Sequence, residues 1–479
     1  MKKNVLKRVT GVLLTGVLVL GLIGCGGSGT KDNNGKTDGD KTGKIEDYDA
    51  VVDLNGYECV ITSNFIQNDP DMETIMGSER SFEEARRYVE ETYNCKIKIA
   101  TLWPSMENLR AKTMTGDKYA DAIHIPMNLL LQAIRSGYVQ NLNEIEGLDL
   151  DSYRWVEACT NMATYDGQVY GLNFMRPSEV RTCLVYNREV LKQCGVTEDL
   201  EQLVRDKQWT FDKFEEIMRK CTKDTDGDGV TNIYGMLPAI YEQLGVAMIN
   251  SNGGSLVTVE DGVAKENFTA PEAVTALNYL TKWMNDDKIV ANVYGDDSRF
   301  GVTTQAYANY FVDGECAFMF CESWLITQQI KNIANGLDYG ILPFPMGPDA
   351  DDYVSNADNA LVFAIPSTNT EDVDKTVIIL NALAKAVAGE EGDTEAQEAY
   401  DYDIMMEYFG KEDAKAAEMY NLILSKSYID LGAGVDTLYS EFQTACIKDP
   451  CFRKYGTPAS AIESVSGIYD ELINSVYNK

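Results

Sequence analysis

The residues whose types and spacing best suit a chemical role form an acidic loop near the middle of the chain. Its oxygen-bearing groups stand at positions one, three, five, seven and nine of an EF-hand-type calcium loop: Asp224, Asp226, Asp228, Val230 through its carbonyl, and Asn232. Gly229 supplies the turn at position six, but position twelve is Gly235 in place of the bidentate glutamate. Two interpretations stay open, a structural calcium site completed by water or a distant carboxylate, and a solvated acidic turn. Neither makes a cofactor a requirement.

The chain is poor in combinations that would support catalysis. Its single histidine is His124, which excludes zinc sites built on several histidines and leaves one candidate base for a serine or cysteine nucleophile. The sequence contains neither a CxxC nor a GxSxG motif. A pair of carboxylates could act on a glycosidic bond, but no motif selects two of the 75 acidic residues. We therefore expect a protein that is not an enzyme, with a surface glycan hydrolase as the alternative from a different class.

The N-terminus resembles a bacterial lipoprotein signal peptide. A basic segment precedes the apolar run Val9–Ile23, which is shorter than the roughly 20 residues that span a bilayer. The run ends in the lipobox-like sequence Leu22–Cys25. This resemblance implies that residues 1–24 are removed and that the thiol of Cys25 carries the lipid, with an ordinary secretory signal as the alternative. Residues 25–46, rich in Gly, Ser, Asn and Asp, would then be a flexible tether at the extracellular face of the cell membrane.

The composition is that of an acidic globular body. About 430 residues remain after the N-terminal segments, more than one hydrophobic core usually serves, so two lobes are expected. The formal net charge of -33 opposes binding to nucleic acid and to anionic lipid. Beyond Cys25 there are ten cysteines, several of them inside apolar runs. We expect mostly free, buried thiols, with Cys446 and Cys451 as the first choice if a disulfide forms.

Periodic patterns in the first part of the body predict alternating strands and helices. Strands are predicted at Tyr57–Thr62, Lys96–Ile99 and Ala120–Ile125, and helices at Phe82–Tyr93 and Leu129–Ser136. Strand, helix and strand in this order indicate a parallel crossover unit and an α/β fold. Because parallel sheets bind ligands at the carboxyl ends of their strands, side chains that follow these strands become candidates for a site.

Seven short blocks of the body resemble, in the same order, those of a known protein family. They are Asp166–Leu172, Val185–Leu191, Trp209–Phe214, Asn252–Gly254, Phe311–Phe318, Leu342–Gly347 and Ala364–Pro366. The family is that of the bacterial extracellular solute-binding proteins, family 1, the maltose-binding-type proteins that capture solutes for ABC importers. Each block is weak alone, but seven in order behind a lipobox make a specific resemblance.

The resemblance implies a two-lobed periplasmic-binding-protein-like fold of type II, in which α/β lobes close around a ligand by hinge motion. The expected lobes are residues 47–178 with 344–390, and residues 179–343 with 391–479. Segments that cross between them are expected near Arg176–Arg181, near Ile341–Gly347 and near residue 390. Prolines at the first two crossings suit such joints, because a fixed φ keeps a crossing segment out of either sheet.

The resemblance also implies which residues contact the ligand in the cleft. Trp324 falls where carbohydrate-binding relatives place a stacking tryptophan, and Tyr241 could stack in the same way. The other candidates lie at strand ends, at the first crossing and in loops: His124, Met127, Asn128, Glu179, Arg181, Asn64 and Asp358. Core packing is the alternative for both aromatic residues. A structural hydrogen bond is the alternative for His124, and an interlobe ion pair for the two charged residues at the first crossing.

Together these features predict a monomeric substrate-binding lipoprotein of an ABC importer. It would take an extracellular mono- or oligosaccharide and deliver it to permease subunits in the membrane. A non-sugar solute such as a polyamine is the alternative within binding proteins. The resemblance names neither the sugar nor the permease.

Overall fold

A computed structural model describes most of the body of the chain. The described residues are 47–68, 70–72, 77–102, 104–175, 180–260, 263–293, 303–358, 360–392 and 394–477. The predicted signal peptide, the tether and the lipidation site at Cys25 lie outside them. Glu46–Lys479 forms one compact unit of the chain. Within the described residues, no helix combines the length and the apolar composition needed to cross a bilayer.

Strands and helices alternate along the described chain. The strands are β1 (Tyr57–Thr62), β2 (Cys95–Ala100), β3 (Ala122–Pro126), β4 (Thr164–Tyr165), β5 (Gln168–Val169), β6 (Thr182–Asn187), β7 (Tyr234–Pro238), β8 (Val257–Glu260), β9 (Val263–Glu266), β10 (Cys316–Glu322), β11 (Tyr339–Leu342), β12 (Ser355–Asn356), β13 (Leu361–Ala364) and β14 (Ser427–Tyr428). The α-helices are α1 (Gly77–Tyr93), α2 (Met106–Thr115), α3 (Met127–Arg135), α4 (Glu157–Met162), α5 (Arg188–Gln193), α6 (Leu200–Arg205), α7 (Phe211–Cys221), α8 (Tyr241–Ser251), α9 (Pro271–Thr281), α10 (Thr304–Val312), α11 (Ser323–Leu325), α12 (Lys331–Ile333), α13 (Val373–Ala388), α14 (Thr394–Tyr408), α15 (Ala414–Ser425), α16 (Asp436–Phe442) and α17 (Pro458–Tyr477). Short 3-10 turns occupy Leu142–Glu144 and Leu431–Gly434, and π-helical turns occupy Lys282–Asp286, Ile326–Ile330 and Gln443–Phe452.

The first sheet has the predicted crossover unit at its centre. Its strand order is β13-β3-β1-β2, with β1 parallel to both β2 and β3, and with β13 antiparallel to β3. The predicted strands and helices of this region are confirmed, since β1 has the predicted bounds and the other four elements overlap theirs. In β2 buried and exposed side chains alternate, as its Lys-Ile-Lys-Ile pattern predicts. The parallel strands β1 and β3 end at one edge of the sheet, at Thr62 and Pro126.

The second sheet has the strand order β11-β6-β10-β7. Here β10 is parallel to β7, and β6 is antiparallel to both of its neighbours. Thr210 caps the helix α7, because its hydroxyl oxygen accepts a hydrogen bond from the amide of Lys213 at 3.3 Å. The apolar face of α7, which includes Phe211 and Phe214, is buried against this sheet. The helix thereby covers the sheet that carries half of the candidate site.

Several chain segments lie side by side between the two sheets. The hydroxyl of Thr182 donates to the carbonyl of Asn356 at 3.0 Å, and the hydroxyl of Ser355 donates to the carbonyl of Thr182 at 2.9 Å. On their other side, β12 pairs in parallel with β14. At the edge of the first sheet, the amide of Asn128 donates to the carbonyl of Asp358 at 3.0 Å. The segment Ser355–Asp358 therefore joins the edge of one sheet to the edge of the other.

Residues 343–354 still contact elements around the second sheet. Nε1 of Trp209, in the core of that sheet, donates to the carbonyl of Pro343 at 3.0 Å. The amide of Gly347 donates to the carbonyl of Ser251, at the end of α8, at 2.9 Å. The chain thus passes to the first sheet at Ser355–Asp358, later than the crossing expected near Ile341–Gly347. The lobe boundaries given from the sequence stay a prediction.

Hydrophobic clusters fill the space beneath each sheet. The larger cluster surrounds the second sheet and includes the fully buried Trp209 and Trp283, and a smaller one lies under the first sheet. The ten cysteines of the described body carry free thiols, in agreement with the expectation of mostly free cysteines. Cys446 and Cys451 are among them, so the first choice for a disulfide does not form one.

Candidate ligand-binding cleft

The carboxyl ends of parallel strands from both sheets lie at the crossing segments. In the first sheet β1 and β3 end there, and in the second sheet β7 and β10 end there while β6 begins. The hydrogen bonds of Ser355–Asp358 connect these two edges. This edge is the one at which α/β sheets bind ligands. The two facing edges define the candidate cleft.

The wall on the first sheet is built around His124. His124 lies in β3 and is 3% exposed. Its ring stacks on Phe363 with 4.5 Å between centroids and meets Phe65 edge-on at 6.1 Å. The ring nitrogen Nδ1 lies 3.0 Å from the hydroxyl of Ser63. The imidazole is therefore a packed part of the wall, and the aromatic ring that this wall offers to solvent is that of Phe65, which is 36% exposed.

His124 is uncharged at neutral pH and lies near Arg181. Burial, and after it the positive charge of Arg181, lowers the pKa of His124 to about 3. Arg181 is itself buried, and its carbonyl accepts a hydrogen bond from the amide of Ser323 at 3.2 Å. Arg181 thus lies between the wall that carries His124 and the residues that follow β10.

The other candidates of the first wall differ in exposure. Asn64 follows β1 and is exposed. Asn128 is half-buried, and its side-chain oxygen accepts from the amide of Leu129 at 2.8 Å, while its side-chain nitrogen bonds to none of the described residues. Met127 is 1% exposed and packs in the smaller core cluster, so it supports the wall from behind. Glu179 lies outside the described residues.

The wall on the second sheet carries Trp324 just after β10. Trp324 is half-buried in the one-turn helix α11 and packs against the larger core cluster. Its indole Nε1 donates to Oε2 of Glu322 at 2.6 Å. The second carboxylate oxygen of Glu322 accepts from Nε2 of Gln243 at 3.1 Å. We call these three residues the Trp324 unit. The polar edge of the indole is occupied by protein in this unit, so the faces of the ring are what can meet a ligand.

Tyr241 begins α8, the helix that also carries Gln243. Its half-buried ring packs edge-to-face against Phe452 with 5.7 Å between centroids. Nζ of Lys448 lies 5.9 Å from the centroid of the same ring. These contacts fix Tyr241 to the π-helical turn near the C-terminus of the chain.

Asp358 belongs to a buried polar network at the crossing segments. It is 4% exposed and accepts hydrogen bonds from the hydroxyl of Tyr439, from Nδ2 of Asn356 at 3.1 Å and from the amide of Asp430 at 3.1 Å. Asp430 accepts in turn from Nδ2 of Asn250 at 2.9 Å. Burial, and then the negative charge of Asp430, raises the pKa of Asp358 to about 7. The structure therefore places this candidate inside the joint between the sheets, bonded to protein donors.

Sequence reasoning missed three residues of the two walls. Phe65 directly follows Asn64, so the end of β1 was a usable signal for it. Glu322 stands two residues before Trp324, and its charge next to a candidate aromatic residue was visible in the sequence. Gln243 gives no sequence signal, because only the fold brings α8 next to the end of β10.

The acidic loop lies at the opposite edge of the second sheet from the cleft, between α7 and β7. One carboxylate oxygen from each of three exposed residues lies within 4.8 Å of the other two, and these residues are Asp224, Asp226 and Asp228. Hydrogen bonds from main-chain amides, that of Gly229 first, lower the pKa of Asp224. The side-chain oxygen of Asn232 accepts from the amide of Thr225 at 2.6 Å. Gly235, at position twelve, is buried in β7 and brings no carboxylate. The loop supplies three converging carboxylates, and calcium at this place stays a prediction.

A comparison with protein families identifies the class to which this arrangement belongs. The family model described as bacterial extracellular solute-binding protein matches residues 77–418, well over half of the chain. The chain therefore belongs to the family of bacterial extracellular solute-binding proteins. Proteins of this family are binding proteins of ABC transport and not enzymes. A search of curated proteins returned no match.

Solved structures share the two-lobed fold of this chain. The sugar-binding protein MalE from Xanthomonas citri matches with a TM-score of 0.63 and 13% identity, over 87% of this chain and 98% of that chain. UspC from Mycobacterium tuberculosis matches with a TM-score of 0.62 and 16% identity, over 87% and 100%. UgpB from Mycobacterium tuberculosis, in complex with glycerophosphocholine, matches with a TM-score of 0.60 and 14% identity, over 87% and 98%. At these identities the likeness concerns the fold alone.

Proposed function

We propose that this solute-binding protein captures an extracellular carbohydrate between its lobes and delivers it to the membrane permease of an ABC importer. The observation that carries the proposal is the Trp324 unit at the edge of the cleft. An indole whose N–H is already bonded presents its apolar faces, and the C–H face of a sugar ring packs well on such a surface. The hydroxyls of the sugar need polar partners, for which Asn64 and Asn128 on the facing wall are suitable.

The relatives support the ligand class and also provide a second candidate. The Xanthomonas citri protein of this fold is named a sugar-binding protein. UgpB was solved with glycerophosphocholine, a solute that carries a phosphodiester. A glycerophosphodiester is therefore the alternative that a specific observation favours, beside the polyamine that the sequence left open. A surface hydrolase with two carboxylates is the alternative from another class.

The mechanism that we propose is capture by closure of the two lobes. The crossing segments are bonded to each other through Thr182, Ser355 and Asn356, so they form a joint about which the sheet edges can approach. A sugar would first stack on Trp324 and would then be enclosed when the facing wall approaches. The closed form would dock on the permease subunits.

A ligand screen tests this proposal. The full chain, purified in detergent, is screened by thermal shift against mono- and oligosaccharides, polyamines, amino acids and glycerophosphodiesters, and hits are measured by calorimetry. A solute at a hundred times its Kd should stabilise the native state by about 2.7 kcal/mol. A saturable sugar hit with no product formed is the expected result. A hit only among the other solutes would overturn the ligand class, and release of a cleaved glycan would favour the hydrolase.

We also propose that Cys25 anchors the protein by a lipid at the extracellular face of the cell membrane. The support is the lipobox-like sequence and the polar stretch that follows it. Mass spectrometry of the N-terminal peptide from the native host should find a diacylglyceryl group on this cysteine. The variant Cys25→Ser should be released from the membrane or retained as an uncleaved precursor. A variant that stays anchored and is cleaved at the same position would contradict the proposal.

A further inference from the structure

Glu322 is a buried carboxylate that forms no ion pair with the described residues. It is 6% exposed and occupies the last position of β10, opposite Thr182 of β6. Its two hydrogen bonds come from neutral donors, the indole of Trp324 and the amide of Gln243. Within the part of the chain that the structure describes, no lysine or arginine forms an ion pair with it. Among the described residues, neutral donors alone therefore contact this carboxylate at the edge of the cleft.

A buried carboxylate that forms no ion pair with the described residues is costly, and this cost favours a ligand that supplies donors. A carboxylate has about four lone-pair sites, of which two are used here. Hydroxyl or ammonium groups of a bound solute would fill the remaining sites and recover the hydrogen bonds that burial removed. A carboxylate or phosphate on the solute would instead bring a second negative charge next to Glu322.

The same hydrogen bond holds the ring of Trp324 in place. Its length of 2.6 Å, between residues two positions apart, is that of a strong bond to a charged acceptor. The main chain at Trp324 is held as well, because its carbonyl accepts from the hydroxyl of Thr327 at 3.2 Å. The plane of the indole and the position of the carboxylate are consequently set together.

We propose that Glu322 is a specificity-determining residue of the cleft. It fixes the plane of the Trp324 indole, favours solutes that place hydroxyl or ammonium donors beside that ring, and excludes anionic solutes. The inference rests on the proposed capture of a solute at Trp324 and adds a rule about charge to it.

The test uses sugars that share a ring and differ in charge. Full-length protein is titrated by calorimetry with glucose, glucosamine and glucuronate, and with galactose, galactosamine and galacturonate. The variants are Glu322→Gln, which removes the charge, and Glu322→Asp, which keeps it. Glu215→Gln is the matched control, since the half-buried Glu215 accepts from the fully buried indole of Trp283 in the same way. Urea unfolding of each variant establishes that it folds.

The wild type should bind the neutral or amino sugar at least about tenfold more tightly than the uronate of the same ring, as hydrogen bonds to a charged group allow. Glu322→Gln should reduce that ratio by about tenfold, Glu322→Asp should keep it, and the control should leave it unchanged. An unchanged ratio in a folded Glu322→Gln protein, or a wild type that prefers the uronate, would overturn the inference.

A failure of the proposed function gives a different result. If the wild type binds none of the six sugars, the wider screen identifies the solute. The affinity of the wild type for that solute is then compared with the affinity of Glu322→Gln. A neutral or cationic solute whose binding falls about tenfold in Glu322→Gln would support the charge rule although the sugar proposal has failed. A solute with a net negative charge would overturn the rule.

If Glu322→Gln is too unstable to titrate, the indole N–H resonances of isotopically labelled protein provide a second measurement. In Glu322→Asp the Trp324 signal should stay close to its wild-type position, because the charged acceptor is kept. In a Gln243→Ala variant the signal should also stay, and the preference against uronates should persist, because the charge remains. Loss of the preference in Gln243→Ala would show that the amide, and not the charge, selects the solute, and would overturn the inference.

Discussion

The molecule uses the same hydrogen bond in two regions, and the charges around it differ. In the core of the second sheet, Nε1 of Trp283 donates to Oε2 of Glu215 at 2.8 Å, and the ring is fully buried. Lys282 and Arg219 form ion pairs with the same glutamate. The carboxylate is neutralised there, and the tryptophan closes a packed core.

At the cleft, Trp324 donates to Glu322 in the same way, but an amide takes the place of the cations. The ring is half-buried, and the carboxylate forms no ion pair with a lysine or arginine of the described residues. The comparison teaches that an indole bonded to a glutamate is not by itself a sign of a binding site. What separates the two is whether protein cations have already compensated the charge.

The largest effect is expected from breaking the core pair. Trp283→Ala should lower the free energy of unfolding by about 3–5 kcal/mol, because it removes a fully buried aromatic side chain. Affinity for the solute should change by less than about threefold in the protein that remains folded. Urea unfolding and calorimetry at low temperature measure the two quantities. A large loss of affinity with little loss of stability would contradict the structural role of this pair.

The opposite result is expected at the cleft pair. Trp324→Ala should weaken binding of the solute by roughly a hundredfold, or about 2.7 kcal/mol, because the stacking surface is lost. The free energy of unfolding should fall by about 1 kcal/mol, since the ring is only partly buried. The conservative variant Trp324→Phe should recover part of the affinity. Unchanged affinity in the alanine variant would refute the assignment of this residue to the site.

Asp358, a further carboxylate that forms no ion pair with the described residues, extends the comparison to pH. The folded protein keeps this proton up to about pH 7, whereas an unfolded aspartate loses it near its ordinary pKa of 3.8. Between these values the folded state holds more protons, so this group makes the free energy of unfolding fall as the pH rises toward 7. His124, whose pKa is lowered to about 3, acts in the opposite direction between about pH 3 and 6.5.

Comparison with Asp358→Asn isolates the contribution of this one group. The stability of the wild type minus that of the variant should decrease by about 2 kcal/mol from pH 5 to pH 8, because only the wild type acquires a buried charge. Urea unfolding at several pH values measures the difference. The exposed Asp151→Asn serves as the control and should show no such trend. If the difference in the free energy of unfolding does not depend on pH, the carboxyl of Asp358 either stays protonated up to pH 8 or has its negative charge balanced when it ionises.

The smallest effect is expected at the acidic loop, where exposed carboxylates converge and form no ion pair with the described residues. Calcium at roughly five times its Kd should raise the free energy of unfolding by about 1 kcal/mol, and chelation should reverse this change. Asp226→Asn should abolish the response, while Asp151→Asn should not. Affinity for the solute should be the same with and without calcium, because the loop lies at the far edge of the sheet. A melting temperature that does not change when calcium is added would favour the solvated turn.

The sequence predicted the fold where a local pattern and a structural requirement coincide. The alternation in β2 is the alternation of a half-buried strand, and Thr210 can cap a helix wherever a helix begins. Gly137 follows the helix α3 with a positive φ of 68°, a conformation that glycine adopts readily. Such features depend on a few neighbouring residues, so they can be read from the chain directly.

The site was less predictable because it depends on exposure and on contacts between distant residues. Asp358 and Asn64 are both polar residues in loops, yet one is buried in the joint and the other is exposed. The change of sheet at Ser355–Asp358 is not marked by the prolines of the preceding segment. Trp324 was predicted as a stacking residue, but the amide of Gln243 that completes its unit comes from a helix about eighty positions earlier. Patterns of neighbouring residues carry no information about contacts between residues that are distant in the sequence.

The reduced state of the cysteines affects how an exported chain of this kind can mature. The ten thiols of the described body form no cross-link, and all except the half-buried Cys194 are buried. Burial raises the pKa of Cys95 to about 11, so its reactive thiolate is scarce after folding. While the chain is still unfolded, the same thiols are exposed to any oxidant and can join in wrong pairs. The yield of the protein should then depend on how quickly folding hides its sulfur atoms, and an enzyme that forms disulfides would hinder this maturation.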